Sequence, residues 1–249
     1  MVCQVAPARD VEGQVTGFRW LLRDLTAPQQ AQETFAQRVR ELTAALEAMS
    51  GRAELRELHH RMKNYLQVAA SLLDWRAEDL QDPRARAIVL ACQERMRAMA
   101  LVHELLYRAG DLERLELGPY LQRLAVQLFQ AYGIDHERIH LTLQADSVSV
   151  DVHTAIPCGL VAHEVLSNCL QHAFPAHQAG DIALMLRAEP AGQVTLTIRD
   201  TGIGLPADLE VRQAESFGLQ LVGVLTEQLH GTMAFTHDHG TCVTLRFPV

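Results

Sequence analysis

The chain has 249 residues, 48% of them hydrophobic and 5% aromatic, with 22 basic against 30 acidic residues and a formal charge of −8. That length supports one large core or two modest ones, and the acidic balance excludes a general binder of nucleic acid. No apolar run reaches the length of a membrane span, and the N-terminus lacks a signal-peptide layout. The five cysteines stand apart without a C-x-x-C pair. They read as free thiols of a reducing cytoplasm, neither a disulfide frame nor a zinc knuckle.

Three segments separate along the chain: residues 1–28, 29–110 and 111–249. The first holds a strand-like stretch from Val15 to Leu22, then Asp24, Thr26 and Pro28. It is too short for a domain and reads as the end of one. The second is nearly free of Gly and Pro, which favours long helices. Phe35, Val39, Leu42, Leu46 and Met49 form a heptad stripe that slips at Ser50-Gly51. A second phase runs through Leu55, Leu58, Met62, Tyr65, Ala69 and Leu72. Asp82-Pro83 marks a turn. Another helical pattern follows through Ile88, Cys92, Met96, Met99, Val102 and Leu106, and Gly110 offers a stop. Two helices joined by a short loop make a hairpin, and two hairpins pairing into a four-helix homodimer complete its core.

In the third segment, helical patterns at 119–132, 155–173 and 218–230 alternate with period-two stretches. Those stretches are Ile182–Leu186, Val194–Ile198 and Cys242–Phe247. The fold class expected is α+β: an antiparallel helical hairpin followed by an α/β sandwich with helices on one face of the sheet.

Several constellations carry chemistry. With Leu55 and Leu58 at seam positions, His60 falls on the outward face, and Lys63 and Asn64 share its patch at i+3 and i+4. A neutral imidazole is a nucleophile near neutral pH, and Arg61 and Lys63 are donors suited to a phosphoryl group. A solvated polar helix face is the alternative. Glu164, Asn168 and His172 are spaced i, i+4, i+8 on a predicted helix, placing a carboxylate and an amide oxygen one turn apart, as Mg²⁺ favours. Asp200-Thr-Gly202-Ile-Gly204 follows a strand directly, and its glycines allow close backbone approach to a ligand. Ser216-Phe-Gly218-Leu219-Gln220 opens a helix whose N-terminus suits phosphate. Gly240-Thr241 enters the last strand. Neither a P-loop nor a Rossmann fingerprint is present. His237-Asp238-His239 reads as a polar loop ahead of a metal site.

In this order the segments resemble a sensor histidine kinase of the branch whose phosphoacceptor helix reads H-R-x-K-N, a relative of the HWE histidine kinases. His60-Arg61-x-Lys63-Asn64 is the phosphoacceptor motif, and Glu164 through Pro175 is the N box. Asp200 to Gly204 is the G1 box and Ser216 to Val222 the G2 box. Residues 16–28 resemble the last strand of a PAS sensor domain. The resemblance implies ATP and Mg²⁺ as cofactors. His60 would be autophosphorylated, with His59 the competing candidate. Asn168 would coordinate Mg²⁺, and Glu164 would position it or orient the attack. Asp200 would read the adenine amino group. Gly202, Gly204, Gly218 and Leu219 would shape the nucleotide pocket, with His172 beside it and Thr241 at the adenine end. The phosphoryl group would pass to an aspartate of a response regulator. Gln171 stands where such N boxes often carry Lys, and Tyr65 where a second Asn commonly follows Lys-Asn. The alternative is a catalytically weak dimeric scaffold that binds ATP and a regulator.

Overall fold

The computed structural model describes residues 2–9, 15–23, 52–109, 111–135, 137–175, 178–204, 217–237 and 239–249. The heptad expected at 35–49, the slip at Gly51, and Asp24, Thr26, Pro28 and Ser216 lie outside these residues. Contacts divide the chain into Met1–Leu55 and Arg56–Val249. In the first unit, β1 (Val2–Arg9) pairs antiparallel with β2 (Val15–Arg23), with a register shift between Ala8 and Arg9. Phe18, Trp20 and Leu22 alternate with Arg19, Leu21 and Arg23, a largely period-two stretch that favours a strand.

Helix α1 (Arg52–Asp79) begins four residues before that division and lies mostly in the second unit, where α2 (Pro83–Ala109) follows it. Glu54 in the first turn and Arg76 in the last complement the α1 dipole. The Asp82 carboxylate accepts the Arg84 N–H at 2.9 Å, and Pro83 takes the first helical position, so α2 starts where the sequence places its turn. The phase of α1 differs from the expected seam. The buried positions are His59, Met62, Leu66, Ala70 and Ala77, whereas Tyr65 and Leu72 are 60% and 55% exposed. The helix carries two apolar stripes, and the one with the small residues Ala70 and Ala77 is the one covered.

The C-terminal sandwich rests on a five-stranded sheet of order β4-β6-β7-β9-β8. Its strands are β4 (Ile139–Ala145), β6 (Gly180–Glu189), β7 (Gln193–Asp200), β8 (Thr232–His237) and β9 (Thr241–Pro248). Only the β4–β6 pair is parallel. Ile182, Leu184 and Leu186, Val194, Leu196 and Ile198, and Val243, Leu245 and Phe247 are all buried at every second position. Together with α3 (Leu117–Ala131), α4 (Val152–Asn168) and α5 (Phe217–Gln228) they form one core. A short ribbon pairs β3 (Arg114–Glu116) with β5 (Ser149–Asp151), and Asp151 caps α4 by accepting the Thr154 N–H at 2.8 Å.

This core does not stop at the sandwich. Ala98, Leu101, Val102 and Leu106 of α2 belong to it. Tyr120 of α3 is fully buried and donates to the Ala98 carbonyl at 3.3 Å. It lies so close to α4 that a Cβ on Gly159 would sit 1.8 Å from its hydroxyl. The expected hairpin and sandwich are therefore both present, and α2 is packed against the sandwich.

Candidate functional site

His60 is exposed on α1, and its Nδ1 lies 3.5 Å from the Asn64 amide. Its ring sits 5.5 Å from the Tyr107 ring of α2. The neighbouring His59 is 1% exposed. Its Nε2 lies 2.8 Å from the Leu112 carbonyl, which can only accept, so that nitrogen carries the proton and donates. Its Nδ1 is then an acceptor, and the His103 Nδ1–H donates to it at 3.0 Å. With both nitrogens engaged inside the protein, His59 is a structural partner of His103, and His60 is the imidazole open to solvent. Lys63, one turn on from His60, is turned to α2. Its ammonium lies 3.2 Å from Glu104 of α2, which also takes Arg108 at 2.9 Å. Arg61 pairs with Glu57 on the exposed face.

The expected stripe of Glu164, Asn168 and His172 is broken. α4 ends at Asn168, and Cys169–Ala173 is a π-helical turn. That wider turn takes His172 out of the α-helical stripe. Asn168 is half-buried and His172 exposed, whereas Glu164 is only 6% exposed. Both oxygens of the Glu164 carboxylate are engaged. Arg95 of α2 donates to both oxygens, Nε to Oε1 at 2.7 Å and its terminal nitrogen to Oε2 at 2.9 Å. His163 Nδ1 lies 3.2 Å from Oε1, and its buried Nε2 has no hydrogen-bond partner among the described residues. Burial pushes the Glu164 carboxyl up, but the hydrogen bonds from His163 and Arg95, with their charges, outweigh it and hold it down at about 2. No sequence motif contains Arg95; only the fold makes it visible.

Asp200 ends β7 and is 1% exposed. Its Oδ1 accepts the Gly202 N–H at 2.9 Å and the Thr241 N–H at 3.2 Å. The Cys169 thiol points at Oδ2, 3.4 Å away. Two glycines in this corner are sterically required. A Cβ on Gly202 would lie 2.2 Å from the Ala173 carbonyl, and one on Gly240 would lie 2.0 Å from the Asp200 carbonyl. The π turn of the N box, the G1 turn and the Gly240-Thr241 entry to β9 thus meet at one edge of the sandwich around Asp200. Gly218 opens α5 against the N box: a Cβ there would lie 2.7 Å from Glu164 Oε2. Leu219, one residue on, is buried. Gln171, at the departure from the expected Lys, donates to the Tyr132 hydroxyl. A cleft of about 670 Å³ between α1, α2 and α3 carries none of these motif residues.

His60 and Glu164 stand at different levels of the hairpin. His60 contacts Tyr107 and Glu164 contacts Arg95, and those α2 positions are roughly 18 Å apart at 1.5 Å per residue.

Residues 57–132 match the family described as histidine kinase. Residues 155–249 match the histidine kinase-, DNA gyrase B- and HSP90-like ATPases. The sensor histidine kinase PdtaS of Mycobacterium tuberculosis is 30% identical over 244 residues, covering 96% of this chain and 45% of that protein. Blue-light-activated histidine kinase 2 of Erythrobacter litoralis is 30% identical over 201 residues, covering 79% of this chain and 57% of that one. The chain thus spans about half the length of these curated relatives. The solved histidine kinase domain of an Erythrobacter litoralis blue-light activated histidine kinase superposes with a TM-score of 0.60 at 26% identity, covering 79% of this chain and 93% of that one. By its helical hairpin, its sandwich and these matches, the chain belongs to the sensor histidine kinase family.

Proposed function

We propose that this chain is an ATP-dependent protein histidine kinase whose phosphoacceptor is His60. The observation that carries the reading is the pairing of one solvent-open imidazole, His60 beside Asn64, with an Asp200 corner built from the N-box, G1 and Gly240-Thr241 segments. The two ends of an amide are near-isosteric. With its oxygen turned to His60, Asn64 would hold the Nδ1–H tautomer and leave the Nε2 lone pair free. That nitrogen attacks the γ-phosphorus of ATP in line, and ADP leaves. Buried Asp200 has its Oδ1 fixed by two backbone N–H groups and the Cys169 thiol donating to its Oδ2, whose remaining lone pair would accept from the adenine amino group. Gly202, Gly204, Gly218, Leu219, His172 and Thr241 line the rest of the nucleotide site. Among the described residues no cluster of three His, Cys, Asp or Glu is placed to hold a metal. The Asn168 amide oxygen would help hold Mg²⁺, which would supply charge neutralisation at the phosphates. Glu164 orients the attack.

In the same reading, residues 1–28 are a sensor remnant, 29–110 the coiled-coil linker and phosphoacceptor hairpin, and 111–249 the ATP-binding domain. The hairpin makes a homodimer, and the phosphoryl group passes to an aspartate of a response regulator in the cytoplasm. Incubation with radiolabelled ATP and Mg²⁺ tests the reading. Acid-labile, alkali-stable label that disappears in His60→Ala is expected; label that persists in His60→Ala and maps to another residue sinks the assignment. One observation favours a second reading, a catalytically weak scaffold: Gln171 is tied to Tyr132 where a phosphate-contacting Lys is common. Wild type that binds ATP but takes no label would select it.

A further inference from the structure

The Glu164 carboxylate is where three elements meet. Arg95 from α2 grips both of its oxygens, Gly218 at the start of α5 stands against Oε2, and α4 carries it. The Arg95 guanidinium also lies 5.0 Å from the centre of the Phe217 ring, the first residue of α5. Arg95 and Glu164 are 13% and 7% exposed, so the pair is largely desolvated, and opening it requires a partner for each charge. Arg95 and His163 together take three of the acceptor positions of this carboxylate, and the guanidinium fork fixes its orientation toward α2, so it is not free to turn toward another group. The same bridge anchors the N box at the Arg95 level of α2, roughly 18 Å along the helix from the Tyr107 level of His60.

We propose that Arg95 is a positioning residue that withholds Glu164: while its guanidinium bridges the carboxylate, the N box is latched to α2 away from His60, and phosphoryl transfer requires that bridge to open. This rests on the kinase reading above. The latch belongs to this chain's own residues, and it ties the nucleotide-binding elements α4 and α5 to the helix that follows the phosphoacceptor helix. Movement of α2 relative to α4 is therefore the input that would release it, and a nucleotide-induced shift of Phe217 is the second.

The test uses the full chain with Mg²⁺ and ATP, comparing wild type, Arg95→Gln, Arg95→Lys and Arg95→Gln with Glu164→Gln. Removing the latch shifts a two-state balance toward the open form, so Arg95→Gln should raise the initial labelling rate about fivefold with little change in KM for ATP. Arg95→Lys, which keeps charge but loses the fork, should fall between. The double variant should lose the gain, because the carboxylate that the latch guards is gone.

A purely structural role for Arg95 would leave the pH profile unmoved. The charged or titratable groups facing Glu164 are Arg95, with the Cys92 thiol beside it on α2, and His163 on its own helix. Without Arg95 one of the two partners that hold the carboxyl down is lost while burial and His163 remain, so the acid limb of the rate should move to higher pH. Wild type that is labelled while Arg95→Gln is equal or slower, with an unmoved acid limb, overturns the latch but leaves the kinase reading intact. If Arg95→Gln fails to fold by circular dichroism, Arg95→Lys decides, and no rise there overturns the proposal. Wild type and variants that all stay unlabelled overturn both readings.

Discussion

Two adjacent histidines on α1 have opposite fates because one faces α2 and the next faces water. His59 is locked by Leu112 and His103, and that lock has a pH signature. Burial, with the neighbouring His59, pushes the His103 imidazole down to about 3, and burial also lowers His59. Both are neutral when folded. Below pH 6.5 the unfolded chain gains protons that the folded chain refuses. Stability is therefore full above that pH and falls as the pH drops, by about 1.4 kcal/mol per unit for His103 alone. Urea unfolding between pH 6.5 and 5 should show this slope in wild type and a flatter one in His103→Gln; equal slopes would remove His103 as the source. His60 faces outward as the sequence suggests, although the seam behind that expectation mixes two stripes, and Asp200 with its glycines is readable from a strand followed by a turn. The sequence leaves Arg95 silent. A residue that acts through a partner 69 positions away leaves no local pattern. Lys63 is the converse case: its spacing from His60 is right, but Glu104 on the other helix outcompetes the solvent-facing rotamer.

At the scale of elements, α1 carries more apolar surface than α2 covers. Tyr65, Val68, Leu72 and Trp75 repeat at three and four residues and are 55% to 63% exposed. Ile88 on α2 is 57% exposed as well. The seam read from sequence mixed the two stripes, because a helix apolar on two faces has no single phase. A second hairpin is the natural cover for this face in the proposed homodimer. Each such side chain, once fully buried, contributes about 1.5–3 kcal/mol. Replacing both Leu72 and Trp75 by Glu should thus weaken association at least tenfold in sedimentation equilibrium while leaving helicity unchanged. A dimer of undiminished affinity would mean that another surface holds it. The sheet shows a different limit of legibility. β6, β7 and β9 are readable because every second residue is buried, whereas β8 has no fully buried residue and its alternation rests on half-buried Met233 and Phe235 alone.

For the whole unit Arg56–Val249, the core runs without a break from Leu101, Val102 and Leu106 of α2 through α3 and α4 to Leu196 and Phe247 of the sheet. The sequence suggests a boundary near residue 110, where composition changes, yet the packing crosses it. Composition reports what each segment is made of, and it is blind to a docking of one segment on another. A continuous core binds its parts into one cooperative transition. Leu106 is completely buried at the junction, and Leu106→Ala should cost about 3 kcal/mol. If opening is shared, native-state hydrogen exchange should accelerate by roughly a hundredfold at the slowest amides of α2 and equally at those of β7, far from the substitution. If the hairpin opens by itself, only the α2 amides accelerate and β7 keeps its protection. That second outcome would mean that the Arg95 bridge and the Tyr120 contact together hold the sandwich more weakly than the sandwich holds itself, so that undocking precedes unfolding. The same measurement on Arg95→Gln then separates the bridge from the apolar contact, because the bridge contributes nothing to the Leu106 core directly.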